Sequence, residues 1–365
     1  MTFAERRDKS QTSDFLRKGS PLHNLLIGCG LILFAALCNG AFAVPLRVRR
    51  RYGWENTWVL AHLFAMGILP LLLASILLPG WSHAIGSVGP GLITIVLAFG
   101  FLWGLGSVTF AIGIDAVGIA LGYAIIMGTI TAVGSVIPVV RRWSTVGASA
   151  RTAVFVGIGI CILGVAVCGY AGVMRERATG KDVRAAKKMS FVSGLLWCIL
   201  CGILSAGNNL GFDFAERIAT EVQRFGGRPM FASLARWLVV YWGGYLAVLT
   251  VCGAKMIRTG SWRNYRGPGS VFDASMAILM GALHFTSQLT YGMGTDYIGP
   301  LGTSVGFAIL LSGSLLIANF FGFLTGEWKT ASPGSARVLY GGLAILVLAV
   351  LVLGYSNTLL PETRS

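Results

Sequence analysis

The 22 residues Ala274–Thr295, ASMAILMGALHFTSQLTYGMGT, contain no Asp, Glu, Lys or Arg. About 20 such residues cross a bilayer as a helix. Within them His284, Gln288, Tyr291 and Thr295 recur at i, i+4, i+7 and i+11, which is one helix face. A polar stripe of this kind is costly against lipid, so it faces protein or a water-filled space. The run closes on Gly294-Thr295-Asp296-Tyr297-Ile298-Gly299. The same design stands 181 residues earlier, where Gly113-Ile114-Asp115-Ala116-Val117-Gly118 closes an apolar run carrying Trp103, Ser107 and Phe110 at i, i+4 and i+7. Each copy sits between two apolar segments, so the pair reads as an internal duplication. Its polar–aromatic faces read as walls of a substrate cavity.

Composition sets the class. The chain is 55% hydrophobic and 12% charged, against about 25% charged residues in a soluble domain. Its mean hydropathy is +0.73. This is the composition of an integral membrane protein. The net charge of +15 would suggest nucleic acid in a soluble protein. Here the basic residues cluster in short loops between apolar runs, where positive-inside bias and anionic headgroups account for them. No nucleic-acid partner is expected. The seven cysteines all lie in apolar runs. Cys198 and Cys201 have CxxC spacing, but in a lipid-buried helix they read as small apolar residues.

Outward from Ala274–Thr295, the apolar runs predict an all-α polytopic membrane protein of ten transmembrane helices. The spans fall at 24–46, 57–78, 92–114, 116–140, 152–174, 189–212, 231–253, 274–295, 298–323 and 338–358. They divide as a basic N-terminal tail (1–23), a first five-helix repeat (24–174), a basic linker (175–188), a second five-helix repeat (189–358) and a C-terminal tail (359–365). Repeats with an odd number of spans are inverted relative to each other. Arg47, Arg49, Arg50 and Arg51 stop the first span, which is expected to remain uncleaved. The loops on their side of the membrane hold 16 Lys and Arg against 12 on the other, tails included. That places both termini outside. Glycines four apart (Gly100/Gly104, Gly118/Gly122, Gly207/Gly211, Gly302/Gly306, Gly322/Gly326) predict close helix approach.

Four local motifs carry a resemblance. Trp54-Glu55-Asn56-Thr57-Trp58 follows the basic first loop, and Trp103-Gly104-Leu105-Gly106 lies in span three. Cys201-Gly202-Ile203-Leu204-Ser205-Ala206-Gly207 lies in span six, and Glu327-Trp328 precedes span ten. With ten spans in a five-plus-five pattern, they resemble the L-rhamnose–proton symporter family of the drug/metabolite transporter superfamily over about residues 24–356. The resemblance implies a secondary active transporter in a bacterial-type cytoplasmic (inner) membrane. It would take up a deoxyhexose, L-rhamnose, with protons by alternating access. No cofactor is implied beyond the proton gradient. The expected partners are the sugar, protons and the lipid bilayer, and the sequence sets no oligomeric state. The competing readings are transport of another sugar or metabolite, including export, and a polytopic membrane enzyme. The latter lacks support, since His23, His62, His83 and His284 show no ligand spacing such as HExxH.

A pyranose offers hydroxyls at its edges and an apolar ring face, so its site needs amides or imidazoles beside aromatic rings. The substrate-binding candidates are His284, Gln288 and Tyr291, with Trp103, Ser107 and Phe110 opposite. Asn39 in span one and Ser205 and Asn208 in span six occupy equivalent places in the two halves. Adjacent Asn208 and Asn209 cannot share a face, so at most one is expected to meet substrate. The proton-coupling candidates are His284, Glu55, Asp115 and Asp296. Each has a structural alternative: interhelical hydrogen bonds for the stripe, caps of the following helices for Asp115 and Asp296, and pairing with Arg47–Arg51 for Glu55. Arg236 is expected to snorkel to the headgroups.

Overall fold

A computed structural model describes residues 21–359 apart from Gly118, 179–189, Thr325, Glu327 and Thr330. The N-terminal tail to residue 20, most of the basic linker, Glu327 and the C-terminal residues 360–365 lie outside the described residues. Among the described residues the regular structure is entirely helical. The helices are α1 (Pro21–Ala41), α2 (Trp54–His62), α3 (Leu69–Leu77), α4 (Trp81–Ser87), α5 (Pro90–Val117), α6 (Ile119–Arg141) and α7 (Ala148–Ala178). They continue as α8 (Phe191–Phe214), α9 (Glu216–Arg224), α10 (Ala232–Thr259), α11 (Ser270–Ile298), α12 (Gly302–Leu324) and α13 (Pro333–Thr358).

Nine segments among the described residues are helical, long and apolar enough to cross a membrane. They start with Leu22–Leu46 and Trp54–Leu77 and end with Pro333–Thr358. The 29-residue α11 has the length, but its polar stripe keeps it out of that set. Large side chains such as Leu26, Ile76, Leu163, Leu196 and Leu351 project outward, as expected of a surface that faces lipid.

The packing follows one scheme. α5 lies along α8 and α10, α1 lies along α11 and α12, and α7 pairs with α13. α6 packs on α7 and α8, and α12 packs on α13. α2, α3 and the segment between them lie against α10 and α11. The α5–α10 contact shows why glycine is needed. A Cβ at Gly100 would collide with the Val240 carbonyl, and one at Gly243 with the Leu97 carbonyl. Backbones approach this closely only where side chains are absent. Gly207 likewise faces the Phe99 carbonyl, and Gly302 the Thr295 carbonyl. Gly326 instead lies beyond the end of α12.

The second span is not one regular helix. Between α2 and α3, Leu63–Ile68 is π-helical, and the Leu69 N–H bonds to the Phe64 carbonyl five residues back. Pro70 follows and has no N–H to donate. Single π-helical turns inside helices concentrate at functional sites, and this one begins directly after His62.

The two corner motifs are helical rather than connecting turns. α5 continues through Asp115 to Val117, and α11 through Asp296 to Ile298. Both aspartates thus sit in the last turn of the preceding helix, so neither is an N-cap of the next. The chain turns instead at Gly299, whose φ of 86° is left-handed and suits only glycine well.

Candidate functional site: a cavity between the two halves

A cavity of about 810 Å³ runs between the halves of the bundle. Its walls come from α1, α2, α5, α6 and α7 of the first half and α8, α11 and α12 of the second. It reaches the end of the bundle that carries Ala43–Leu46, Trp54, Arg175 and Trp328.

Seven expected substrate-binding residues line it: Asn39, Trp103, Ser107, Phe110, Asn208, His284 and Gln288. Ser205 lines it too. Four amides and hydroxyls interlock from different helices. The Asn39 amide donates to Ser314 Oγ at 2.9 Å. The Asn208 amide lies 3.5 Å from Gln288 Oε1, and Asn208 Oδ1 has no partner. Ser107 is less available, because its hydroxyl donates back to the Gly104 carbonyl at 2.8 Å.

The aromatic wall is extensive. The Trp103 ring lies 5.8 Å from that of His284, with the planes 19° apart. Trp54 stacks on Trp58 at 5.4 Å, and Phe110 meets Tyr123 edge-on at 5.9 Å. Ring faces beside amides, among them the unpaired Asn208 Oδ1, suit the apolar face and hydroxyl edge of a pyranose.

One expectation needs correction within the stripe. Tyr291 is fully buried and does not line the cavity. Its hydroxyl donates to Asn209 Oδ1, and its ring packs near Phe212, Trp237 and Phe307. It shares a helix face with His284 but lies about 10 Å further along the axis, below the cavity floor. Asn209 is committed in the same way, donating to the Gly134 and Thr303 carbonyls at 2.8 and 2.9 Å.

His62 is the residue that sequence reasoning passed over. It lines the cavity, and its ring lies 5.9 Å from that of His284. Its Nδ1 donates to the Trp58 carbonyl at 2.8 Å. The signal available in the sequence was Trp58 and His62 at i, i+4 ahead of Pro70.

Comparison with known proteins now bears on this geometry. A family model described as L-rhamnose-proton symport protein matches residues 23–358. This chain belongs to that family. Proteins named L-rhamnose-proton symporter are similar along nearly their whole length. The one from Pectobacterium atrosepticum is 26% identical over 338 residues, covering 90% of this chain and 97% of its own. The one from Mannheimia succiniciproducens is 26% identical over 340 residues, covering 91% and 98%. The family and these relatives are transporters, not enzymes.

In this symporter-family chain no carboxylate among the described residues lines the cavity. Glu55 pairs with Lys255 at 3.0 Å and accepts from Ser261 at 2.8 Å. Its partner is therefore the end of α10 rather than Arg47–Arg51. The backbone N–H groups of Arg50, Arg51 and Tyr52 converge instead on Asp273, at 2.8, 2.6 and 2.7 Å. Burial pushes the Asp273 carboxyl up, but these three donors outweigh it and hold its pKa below the ordinary value. Asp115 has its backbone in α5, and its side chain lies outside the described residues.

The opposite end of the bundle holds a buried ionic cluster. Asp213, fully buried, accepts from Arg141, from Arg142 at 2.6 Å and from the Thr303 hydroxyl at 2.7 Å. Asp296 pairs with Arg236 at 2.9 Å. Arg236 is only 4% exposed. Its guanidinium also donates to the Phe212 carbonyl at 3.0 and 2.8 Å and lies over the Phe212 ring. It does not snorkel, because a carboxylate, a carbonyl and a ring satisfy it inside the bundle. Among the described residues no group of three His, Cys, Asp or Glu could hold a metal ion.

Proposed function

We propose that this chain is a proton-coupled importer of L-rhamnose in the cytoplasmic membrane. In this reading it has ten spans and works by alternating access. The cavity carries the proposal: it offers amides, one with an unpaired oxygen, and stacked rings between two halves of one bundle, in a chain of the rhamnose-symport family. Gln288, Asn208 and Asn39 meet sugar hydroxyls, and Trp103 covers the ring face. Phe110 and Ser107 complete the wall.

The ten spans are the nine apolar segments plus α11. The charged ends and polar stripe of α11 lower its average hydropathy, while its middle is free of charge. An inverted five-plus-five repeat is supported by the packing scheme. Exchanging each span with the one five places away turns α5–α8 into α11–α1, and α6–α8 into α12–α1, contacts that both occur. The same exchange returns α7–α13 to itself.

The positive-inside count places both termini outside, so the end with Arg175 and Trp328 faces the cytoplasm. The cavity then reaches the cytoplasmic side, while the Asp213 and Asp296 clusters close the outer side. That is one of the two states alternating access requires. Uptake of a labelled sugar panel into sealed proteoliposomes, with and without an inward proton gradient, tests the proposal. L-rhamnose should be concentrated only with the gradient, and concentration of another sugar alone would reassign the substrate.

A further inference from the structure

We propose that His62 and His284 act together as the site that takes up the coupling proton, one proton per pair. The inference rests on the proton-symport reading above and names the groups that would carry it. Two observations independent of any titration lead to it. First, the imidazoles face each other at 5.9 Å across the α2–α11 contact, and both line the cavity. Secondly, both ring nitrogens of His284 are buried without a hydrogen-bond partner. Buried imidazole nitrogens are ordinarily satisfied, so a ring with neither nitrogen engaged is placed to receive something.

The surroundings leave few rivals. The other titratable side chains lining the cavity among the described residues are Tyr123, Cys168 and Arg175. Around the pair itself lie Phe42 at the end of α1, Trp58 on α2, Trp103 on α5 and Tyr241 on α10. Of these only Tyr241 titrates. Glu55, Asp213 and Asp296 are held in ion pairs with Lys255, with Arg141 and Arg142, and with Arg236. Asp273 is taken by three backbone donors.

The arrangement also explains why two histidines are used. His62 Nδ1 is fixed as a donor to Trp58, so the neutral ring presents Nε2 as its acceptor. A proton binds His62 Nε2 or the free acceptor nitrogen of His284 without breaking an existing bond. A second proton would set two like charges a few ångströms apart in an apolar setting, so the pair titrates as one unit. Trp103, parallel to the His284 ring, stabilises the charged form through its π face. Gln288, one turn from His284, then joins the proton site to the sugar site on one helix face.

The test uses purified protein in sealed proteoliposomes, with His62→Gln, His284→Gln and Asp115→Asn beside the parent. Three signals are read: L-rhamnose counterflow without a gradient, gradient-driven accumulation, and the proton influx that follows sugar addition. The parent should move one proton per sugar. Each histidine variant should keep counterflow within about tenfold, lose accumulation and show no sugar-dependent proton influx. Asp115→Asn should retain all three. Histidine variants that still accumulate sugar with proton influx overturn the proposal, as does an Asp115→Asn protein that alone loses coupling. Loss of counterflow in folded histidine variants also overturns it, since the pair would then serve sugar binding. If either glutamine variant fails to reach the vesicles, the asparagine variant at that position takes its place. A parent that exchanges no L-rhamnose refutes the functional reading instead, which keeps the two failures apart.

Discussion

Arg142 reaches Asp213 at 2.6 Å, joining the end of α6 in the first half to the end of α8 in the second. Asp213 is fully buried and also holds Arg141 and Thr303. A carboxylate on α8 that gathers two guanidiniums from the end of α6 and a hydroxyl from α12 fixes one closed arrangement of that end. In an alternating-access cycle it must part and re-form.

Asp213→Asn should therefore weaken closure at that end. Hydrogen bonds involving a charged group contribute about 1.5–3 kcal/mol each; Arg141 would lose its Asp213 carboxylate and Arg142 would keep only Glu216. The purified variant should melt at lower temperature than the parent. A cysteine at Ser304, now 1% exposed, should react faster with thiol reagents in the variant. Unchanged melting and labelling would show that the cluster is not a latch.

Gln288→Leu removes an amide that faces the cavity beside Asn208 while roughly keeping bulk. Losing one polar partner for a sugar hydroxyl costs about 1–3 kcal/mol, which is roughly a 5- to 150-fold loss of affinity. Ser287 is fully buried, and its hydroxyl has no partner. Ser287→Ala should leave affinity within about twofold. Calorimetric or scintillation binding to purified protein decides, and equal effects of the two substitutions would remove Gln288 from the site.

Gly100→Val drives a branched side chain into the Val240 backbone across the α5–α10 contact. Overpacking on this scale costs about 1–3 kcal/mol or more. The variant should be recovered in smaller amounts and melt lower, whereas Gly91→Ala, where nothing lies within 4 Å of a Cβ, should behave as the parent. Size-exclusion profiles and thermal melting of the two variants check this.

Orientation is tested by thiol labelling of intact cells. In a background without native cysteines, Ser144→Cys in the α6–α7 connection should react with an impermeant reagent, and Thr259→Cys at the end of α10 should not. Ala185→Cys, in the basic linker, should also be protected. The reverse pattern would invert the protein and make the present cavity face outward.

Much of this was readable in the sequence, for identifiable reasons. Uncharged runs and basic loops are local signals, so nine apolar spans were visible as runs. The i, i+4 spacing that groups His284 with Gln288, and Trp103 with Ser107, is also local. Depth within the bilayer is not. Tyr291 continues the His284 face, yet the cavity has ended at its level, and Asn209 takes its hydroxyl. Partners distant in sequence were hidden as well. Lys255 lies 200 residues from Glu55, and Asp296 lies 60 from Arg236. His62 was overlooked because it stands alone in a charge-free run, with its counterpart on α11 supplied only by the fold.

The most direct test of the central claim is the lumen pH of sealed proteoliposomes when L-rhamnose is added outside, read with an entrapped pH dye. Symport through this cavity predicts prompt acidification that depends on the sugar and saturates with it, in step with sugar entry. Rhamnose entry with no change in lumen pH, or no entry at all, would contradict the account.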